Sequence, residues 1–189
     1  MLSYTDLKPG VFIVADGQPY LVMESAFLRM QQRKPVMKTK LKNLISGKTA
    51  ERAFQQSDEI EEAELEKMKA TFIYESRGEY WFHEIGNPKS RFSLKPEEIG
   101  ESAKFLKPNM EILAIKFQDK IISVELPIKA DYKIIEAPPA IRGDTAQGGV
   151  KVATIETGSK INVPLFINEG DIIRINTQTG EYAERVEKG

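Results

Sequence analysis

Residues 11–24 read VFIVADGQPYLVME, two short apolar runs on either side of Asp16-Gly17. Asp and Gly tolerate the positive backbone φ of a tight hairpin turn, so residues 11–14 and 20–23 are predicted to pair as antiparallel strands. Similar short runs, broken by Gly, Pro, Asn or Asp, recur along the whole chain. This pattern is typical of small β-sandwiches or β-barrels and not of helical bundles.

Two further strands are predicted after this hairpin, over residues 36–44 and 49–54. Within the first of them, Lys38, Lys40 and Lys42 alternate with residues suited to packing. Because successive side chains of a strand point to opposite faces, the three lysines are predicted to share one face.

The middle of the chain is predicted to hold a second small barrel. Its predicted elements are strands flanking a turn at Arg77-Gly78, a helical stretch over 96–105, and strands over 110–117 and 120–126. Before them, the strongly charged segment 59–70 has helical composition. This composition allows a helical turn or two, but the segment lies between strand-rich regions and is predicted to be a connector that closes the first domain near residue 64.

The last third of the chain repeats the β pattern, with Gly158, Gly170 and Gly180 placed for turns. No helix is predicted there. The patterns together predict an all-β protein of three tandem small β-barrels. The predicted domains are 1–64, 65–127 and 128–189.

Composition excludes most catalytic classes. The chain has no cysteine, which rules out disulfides, thiolate nucleophiles and cysteine-based zinc sites, and the single His83 cannot build a multi-histidine metal site. We therefore expect no cofactor, no metal and no enzymatic activity. No apolar run approaches the roughly 18 residues of a membrane span, and the N-terminus lacks a basic region followed by an apolar one, so a cytoplasmic protein is predicted.

Charge is balanced overall but unevenly distributed. Lysine and arginine total 27 against 28 aspartates and glutamates, which excludes a uniformly basic nucleic-acid binder. The segment 29–52 nevertheless carries only Glu51 as an acid against a set of basic residues: Arg29, Arg33, Lys34, Lys38, Lys40, Lys42, Lys48 and Arg52. The segment 58–66 then reverses the sign, and its carboxylates lack the spacing of a calcium loop.

A run of positions in the last third carries a family resemblance. The run is Lys151-Val152-Ala153, Gly158, Ile161, Val163-Pro164, Ile167 and Gly170. With 6–10, 40–44 and 179–182, it resembles the bacterial elongation factor P family along the full length of the chain. The resemblance implies an SH3-like (KOW-like) N-terminal barrel followed by two OB-fold barrels, in an L-shaped outline similar to tRNA.

The resemblance also implies a function in translation. It implies a factor that binds the 70S ribosome between the P and E sites and contacts ribosomal RNA and the P-site tRNA, particularly prolyl-tRNA. Such a factor steadies the peptidyl-tRNA and stimulates peptide-bond formation, especially at consecutive prolines, which is catalysis through positioning. No membrane partner is expected, and we expect a monomer.

The resemblance further implies a loop that reaches toward the peptidyl-transferase centre, here 29–35. The ungapped family pattern places the family's lysine or arginine tip, often modified, on Gln32, and replaces the usual flanking glycines by Gln31 and Arg33. Glutamine cannot accept amine or guanidinium modifications, so we predict an unmodified tip whose amide hydrogen-bonds near the CCA end of the tRNA. The alternative is a shifted register that puts Arg33 or Lys34 at the tip, with or without modification.

Further RNA contacts are predicted on three parts of the chain. They are Arg29, Lys38, Lys40 and Lys42 in the first domain, the loop Gly143-Asp144-Thr145, and Tyr182 with Arg185 near the end. The resemblance directs that loop toward the small subunit and the E-site codon. An aromatic ring beside a guanidinium can stack on a base or contact a phosphate. Packing of the Tyr182 ring and simple solvation of Arg185 fit the pattern equally.

Two other functions remain open for the same residues. A general single-stranded RNA-binding protein built on OB-folds would bind isolated RNA with marked salt dependence, whereas the translation factor would need the assembled ribosome. A small hydrolase or lyase would need a nucleophile motif or a metal cluster, and the sequence contains neither.

Overall fold

A computed structural model describes residues 1–29, 34–139 and 149–189. Across these residues, fifteen strands form three five-stranded sheets, and the helical part is one short α-helix with two short 3-10 helices. The three sheets follow one another along the chain. The predicted all-β class with three small β-units is confirmed.

The first sheet is built from β1 (Phe12–Ala15), β2 (Gln18–Leu28), β3 (Val36–Asn43), β4 (Thr49–Gln55) and β5 (Glu61–Glu62). Its strand order is β4-β3-β2-β1-β5, and all neighbours are antiparallel. The predicted hairpin forms, because Asp16 and Gly17 take φ values of 51° and 72° in a two-residue turn. Ala15 is then paired with Gln18.

Burial along β3 alternates, as predicted from its sequence. Met37 and Leu41 lie inside the barrel, whereas Lys38, Lys40 and Lys42 are exposed. The core cluster that receives the inner face also contains Leu7, Ile13, Val22, Phe54 and Ile60. The prediction that the three lysines share the outer face is therefore confirmed.

The charged segment 59–70 forms strand and extended chain, and not the helical turns that its composition allows. β5 pairs with β1, where Glu62 lies opposite Ile13. The amide of buried Ala63 then donates to the Phe12 carbonyl at 3.0 Å. These ladder bonds and the burial of Ile60 and Ala63 outweigh the helix propensity of the glutamates.

The second sheet contains β6 (Glu66–Ser76), β7 (Glu79–Glu84), β8 (Asn87–Leu94), β9 (Glu111–Phe117) and β10 (Lys120–Glu125), in the order β10-β9-β6-β7-β8. The predicted turn at Arg77-Gly78 forms with φ values of 55° and 77°. The predicted helical stretch is present as α1 (Pro96–Ile99), continued by a 3-10 helix (Gly100–Phe105). A short 3-10 helix (Tyr4–Asp6) precedes the first sheet.

The third sheet contains β11 (Lys129–Glu136), β12 (Val150–Ile155), β13 (Lys160–Pro164), β14 (Ile172–Asn176) and β15 (Glu181–Glu187), in the order β13-β12-β11-β14-β15. The predicted turns are confirmed, since Gly158, Gly170 and Gly180 all have positive φ. Tyr132 is fully buried, and its hydroxyl donates to the Phe105 carbonyl at 2.7 Å.

Grouped by compactness, the chain forms two units. The first comprises Met1–Ala70, Glu75–Gly100 and Leu113–Glu125, and the second comprises Thr71–Tyr74, Glu101–Ile112 and Leu126–Gly189. Domain boundaries near residues 64 and 127 stay a prediction. No helix in the described ranges is long and apolar enough to cross a membrane.

Candidate RNA-binding surfaces

The end of the β2–β3 hairpin is the first candidate site. Its ladder runs from Tyr20 opposite Asn43 to Leu28 opposite Val36, with one irregularity near Val22. β2 has eleven residues and β3 has eight, so this hairpin is long for a small barrel. The described ladder therefore ends at Leu28 and Val36, the far end of a paired ribbon.

The predicted tip falls at this end. Arg29 and Lys34 are exposed and lie on the two sides of the connection. Gln31, Gln32 and Arg33 lie outside the described residues. The described part of the site is therefore a β-ribbon with one cation following β2 and another preceding β3.

Satisfied buried polar groups fix the base of this ribbon. Thr39 is buried, and its hydroxyl donates to the Arg52 carbonyl at 2.9 Å. Asn43 is also buried, and its side-chain oxygen accepts from the amides of Ile45 and Ser46 at 2.9 and 2.8 Å. The Thr39 bond ties β3 to β4, and the Asn43 bonds close the turn that follows β3, so these partnered groups fix β3 at its barrel end.

The lysines on the outer face of β3 differ in their partners. Lys40 Nζ lies 3.2 Å from Glu24 Oε1, and both side chains are largely exposed. Lys38 and Lys42 have no ion-pair partner within the described ranges. Alternate residues of a strand are about 6.6 Å apart, so the face presents a row of cations of which only the central one is paired.

The second candidate surface lies on the third sheet, where Arg185 is neither free nor simply solvated. Its guanidinium lies 3.5 Å from Asp171 Oδ2. Its Cζ also lies 5.2 Å from the centroid of the Phe166 ring, a cation–π arrangement. The sequence pattern had suggested a contact to RNA or a solvated charge, and it gave no sign of this internal pair.

Asp171 is the buried partner, with 1% of its surface exposed. Its carboxylate accepts from the amides of Asn168 and Gly189, both at 2.9 Å. Burial raises the pKa of the Asp171 carboxyl, but these two amides and the Arg185 guanidinium together hold it below its ordinary value. Arg185 therefore completes an internal charge cluster.

A second internal ion network was also missed by the sequence analysis. Arg174 makes two bonds to Asp131, at 2.7 and 3.0 Å, and a third to Glu184 at 2.8 Å. The hydrogen bonds from Arg174 hold the pKa of the Asp131 carboxyl below its usual range. Only strand register brings these three charges together, since Arg174 lies opposite Asp131 on one side and Glu184 on the other.

Tyr182 lies opposite Ile175 and is half-buried. It lines a groove with the exposed Val150 and Val152, whose rim includes Lys104 and Lys160. This is the part of the third sheet where an aromatic ring and unburied cations come together.

The predicted loop Gly143-Asp144-Thr145 lies outside the described residues. The chain on its two sides is joined where the Lys151 ammonium donates to the Pro138 carbonyl at 3.0 Å. In the described parts of the chain, no group of three or more histidines or carboxylates is placed to hold a metal ion.

Comparison with known proteins finds one protein family along the whole length of the chain. The family model for the elongation factor P KOW-like domain matches residues 3–60, and that for elongation factor P, C-terminal, matches residues 131–185. Elongation factor P of Moorella thermoacetica is 37% identical over 185 residues, covering 98% of this chain and 100% of the relative. Elongation factor P of Thermotoga petrophila is 38% identical with the same coverage.

A solved structure shows the fold at lower identity. Eukaryotic translation initiation factor 5A from Methanococcus jannaschii has a TM-score of 0.53 at 13% identity, covering 67% of this chain and 90% of the other. At that identity the likeness concerns the fold alone. The expected architecture, an SH3-like (KOW-like) barrel and two OB-folds, is confirmed.

Proposed function

Because this chain belongs to the elongation factor P family and is therefore a translation elongation factor, we propose that it binds the 70S ribosome between the P and E sites. There it steadies the peptidyl-tRNA and stimulates peptide-bond formation, especially at consecutive prolines. Its partners are ribosomal RNA and the P-site tRNA, particularly prolyl-tRNA, and it acts as a cytoplasmic monomer.

The observation that carries this proposal is the β2–β3 hairpin. A long ladder with a buried base can hold a loop at a fixed distance from the barrel, and the exposed cations at its end attract phosphates. Fixed positioning is the property such a factor needs, because it aligns reacting groups whose chemistry belongs to another catalyst. The factor itself makes and breaks no covalent bond, so it is not an enzyme in its own right.

The row of lysines on β3 supports a sustained contact with RNA. Lys38 lies between two alanines, Ala26 on β2 and Ala53 on β4, which leave space around the ammonium group. Small neighbours and the lack of an ion-pair partner among the described residues leave this charge available to a phosphate. Lys42 likewise has no ion-pair partner among the described residues, although its strand neighbours are the larger Leu21 and Thr49. Lys40 is partly neutralised by Glu24.

At the tip we propose that Gln32 works unmodified. Its side-chain amide both donates and accepts hydrogen bonds, which suits contacts with the CCA end of the tRNA. The rival assignment places Arg33 or Lys34 there. In the third barrel, the Gly143-Asp144-Thr145 loop would approach the small subunit, and Tyr182 would offer its ring to RNA.

Translation in a reconstituted system tests the proposal. A reporter that encodes consecutive prolines would be translated with and without unmodified recombinant protein, and with Gln32→Ala and a matched control, Gln56→Ala. Gln56 is an exposed glutamine in the turn after β4. We expect relief of stalling by the wild type and by Gln56→Ala, and its loss in Gln32→Ala.

Intact-mass spectrometry of protein from the native host separates the two tip assignments. The unmodified assignment requires the mass calculated from the sequence. Added mass located on Arg33 or Lys34 by peptide mapping would favour the shifted register. Equal activity of Gln32→Ala and wild type would count against Gln32 in any register.

A further inference from the structure

The 3-10 helix Gly100–Phe105 lies between β8 and β9 in the sequence, yet residues 101–112 belong to the same compact unit as the third sheet. The last carbonyl groups of a helix have no hydrogen-bond partner within the helix. Lys104 and Phe105 stand at this end. Their carbonyl groups therefore need donors from elsewhere in the chain.

Hydroxyl groups of the third barrel supply these donors. Thr157 and Ser159, in the turn between β12 and β13, both donate to the Lys104 carbonyl, at 2.8 and 2.9 Å. Tyr132 on β11 donates to the Phe105 carbonyl at 2.7 Å. Helix caps are usually made by residues close in sequence, whereas these donors lie 27, 53 and 55 positions further along. The third barrel thus caps a helix that it does not itself contain.

An aromatic contact reinforces the cap. The Phe105 side chain is 1% exposed, and its ring centroid lies 6.0 Å from that of the fully buried Tyr132. The same ring lies against Gly180, where a Cβ atom would come within 3.5 Å of Phe105 Cζ. Phe105 is therefore packed into the third barrel as well as hydrogen-bonded to it.

A charged side chain fastens the chain just beyond the helix. The Lys107 ammonium donates to the Asp131 carbonyl at 2.7 Å and lies 3.0 Å from Glu156 Oε1. It also lies 5.1 Å from the centroid of the Tyr132 ring, a cation–π arrangement. Residues 104–107 are thus held by hydrogen bonds, ring packing and charge at once.

We propose that these contacts form a latch through which the third barrel controls the order of the helical segment 101–107. The latch consists of the Lys104 and Phe105 carbonyls with their donors Tyr132, Thr157 and Ser159. While it is closed, the segment opens only together with the third barrel, and without the hydroxyl donors it opens on its own. This goes beyond the function proposed above and is tested without ribosomes or RNA, so the two proposals can fail separately.

Trypsin provides a direct test, because it cleaves after lysine and the carbonyl it must attack after Lys104 is the one that the latch holds. Cleavage of a folded chain requires local opening. In the double variant Thr157→Val, Ser159→Ala, the Lys104 carbonyl loses both donors. We expect cleavage after Lys104 to become about tenfold faster, with the cleaved bond identified by peptide mass.

Two controls separate the latch from a general effect of changing hydroxyl groups. Thr157→Ser keeps the donor and should be cleaved at the wild-type rate. Thr154→Val removes a hydroxyl that donates to Glu136 Oε2 at 3.1 Å within the third sheet, and it should also be cleaved at that rate. If the double variant is cleaved no faster than Thr154→Val, the latch is refuted.

Hydrogen exchange then distinguishes opening of the latch from a loss of overall stability. The Leu106 amide, bonded to the Ala103 carbonyl at 3.1 Å, reports on the segment, and the Ile134 amide, bonded to the Asp171 carbonyl at 2.8 Å, reports on the third sheet. In the wild type we expect both amides to respond equally to denaturant, because they share one opening reaction. In the double variant, Leu106 should exchange about tenfold faster while Ile134 is unchanged.

Tyr132→Phe provides an independent check, because it keeps the buried ring and removes only the donor to the Phe105 carbonyl. It should also accelerate exchange at Leu106. Different denaturant responses of Leu106 and Ile134 in the wild type, or equal acceleration of both in the double variant, would overturn the latch.

Discussion

The β2–β3 hairpin and the β14–β15 pair are both rich in charge, yet they use it differently. Among the described residues of the hairpin, the ion pair of Lys40 with Glu24 leaves 47% and 72% of the two side chains exposed. On the third sheet Arg185 pairs with a carboxylate, Asp171, that is 1% exposed and already bonded to two amides. An exposed charge remains available to RNA, whereas a buried one is occupied by the fold.

Removing the buried carboxylate tests this difference with the largest expected effect. Asp171→Ala would leave the amides of Asn168 and Gly189 and the Arg185 guanidinium without their partner. We expect the free energy of unfolding to fall by about 3 kcal/mol, the usual cost of unpaired buried polar groups. Denaturant unfolding measures it.

The matched control for that experiment is Glu101→Ala, whose side chain is 97% exposed. Its unfolding curve should overlay that of the wild type. If Asp171→Ala does so too, the cluster is not the stabilising feature described above, and Arg185 becomes available for an RNA contact.

Acid should weaken the third sheet through the same carboxyls. The pKa values of Asp171 and Asp131 are lowered in the folded protein, so their contribution to stability is complete above the unfolded aspartate pKa of about 3.9. It is lost as the pH falls through the lower folded values. We expect a stable plateau from about pH 8 to 5 and a decline below about pH 4. Asp171→Asn should flatten the decline, and an unchanged slope would contradict the assignment.

These internal clusters also show which features of the structure could not be predicted from the sequence. The hairpin at Asp16-Gly17 and the outward lysines of β3 follow from local turn chemistry and a period of two, so both could be predicted. The turn at Gly180 predicts that β15 folds back on β14, but Arg185 meets Asp171 only through a register that shifts twice along this pair, which no local pattern encodes. The strand at 61–62 was not predicted because its pairing partner, β1, is distant in sequence.

The hairpin charges can be tested next, with a smaller expected effect. The double variant Lys38→Ala, Lys42→Ala removes two cations that have no ion-pair partner in the described ranges, so stability should stay within about 0.5 kcal/mol of wild type. Ribosome affinity should fall about tenfold, and the slope of log affinity against log salt should shrink by about 1 to 2. Sedimentation binding at several salt concentrations measures both.

The control for that variant changes two exposed lysines of the third sheet, Lys129→Ala with Lys133→Ala. It removes the same net charge, so any loss that comes from overall charge alone appears there too. Equal losses in the two double variants would mean that the β3 row has no special contact, and the distinction between the two regions would then rest on stability alone.

The prediction with the smallest expected effect concerns the ion pair between Glu24 and Lys40 within the hairpin itself. Glu24→Gln removes the carboxylate 3.2 Å from Lys40, so the central cation of the row becomes available to RNA. An exposed pair contributes at most about 1 kcal/mol, so ribosome affinity should rise only about twofold while stability is unchanged.

Glu51→Gln is the matched comparison, because Glu51 lies opposite Lys40 on β4 without an ion-pair bond to it in the described ranges. It should have less effect than Glu24→Gln. A loss of affinity in Glu24→Gln would instead mean that the pair orients Lys40 for its phosphate, and that even an exposed ion pair on this hairpin serves binding.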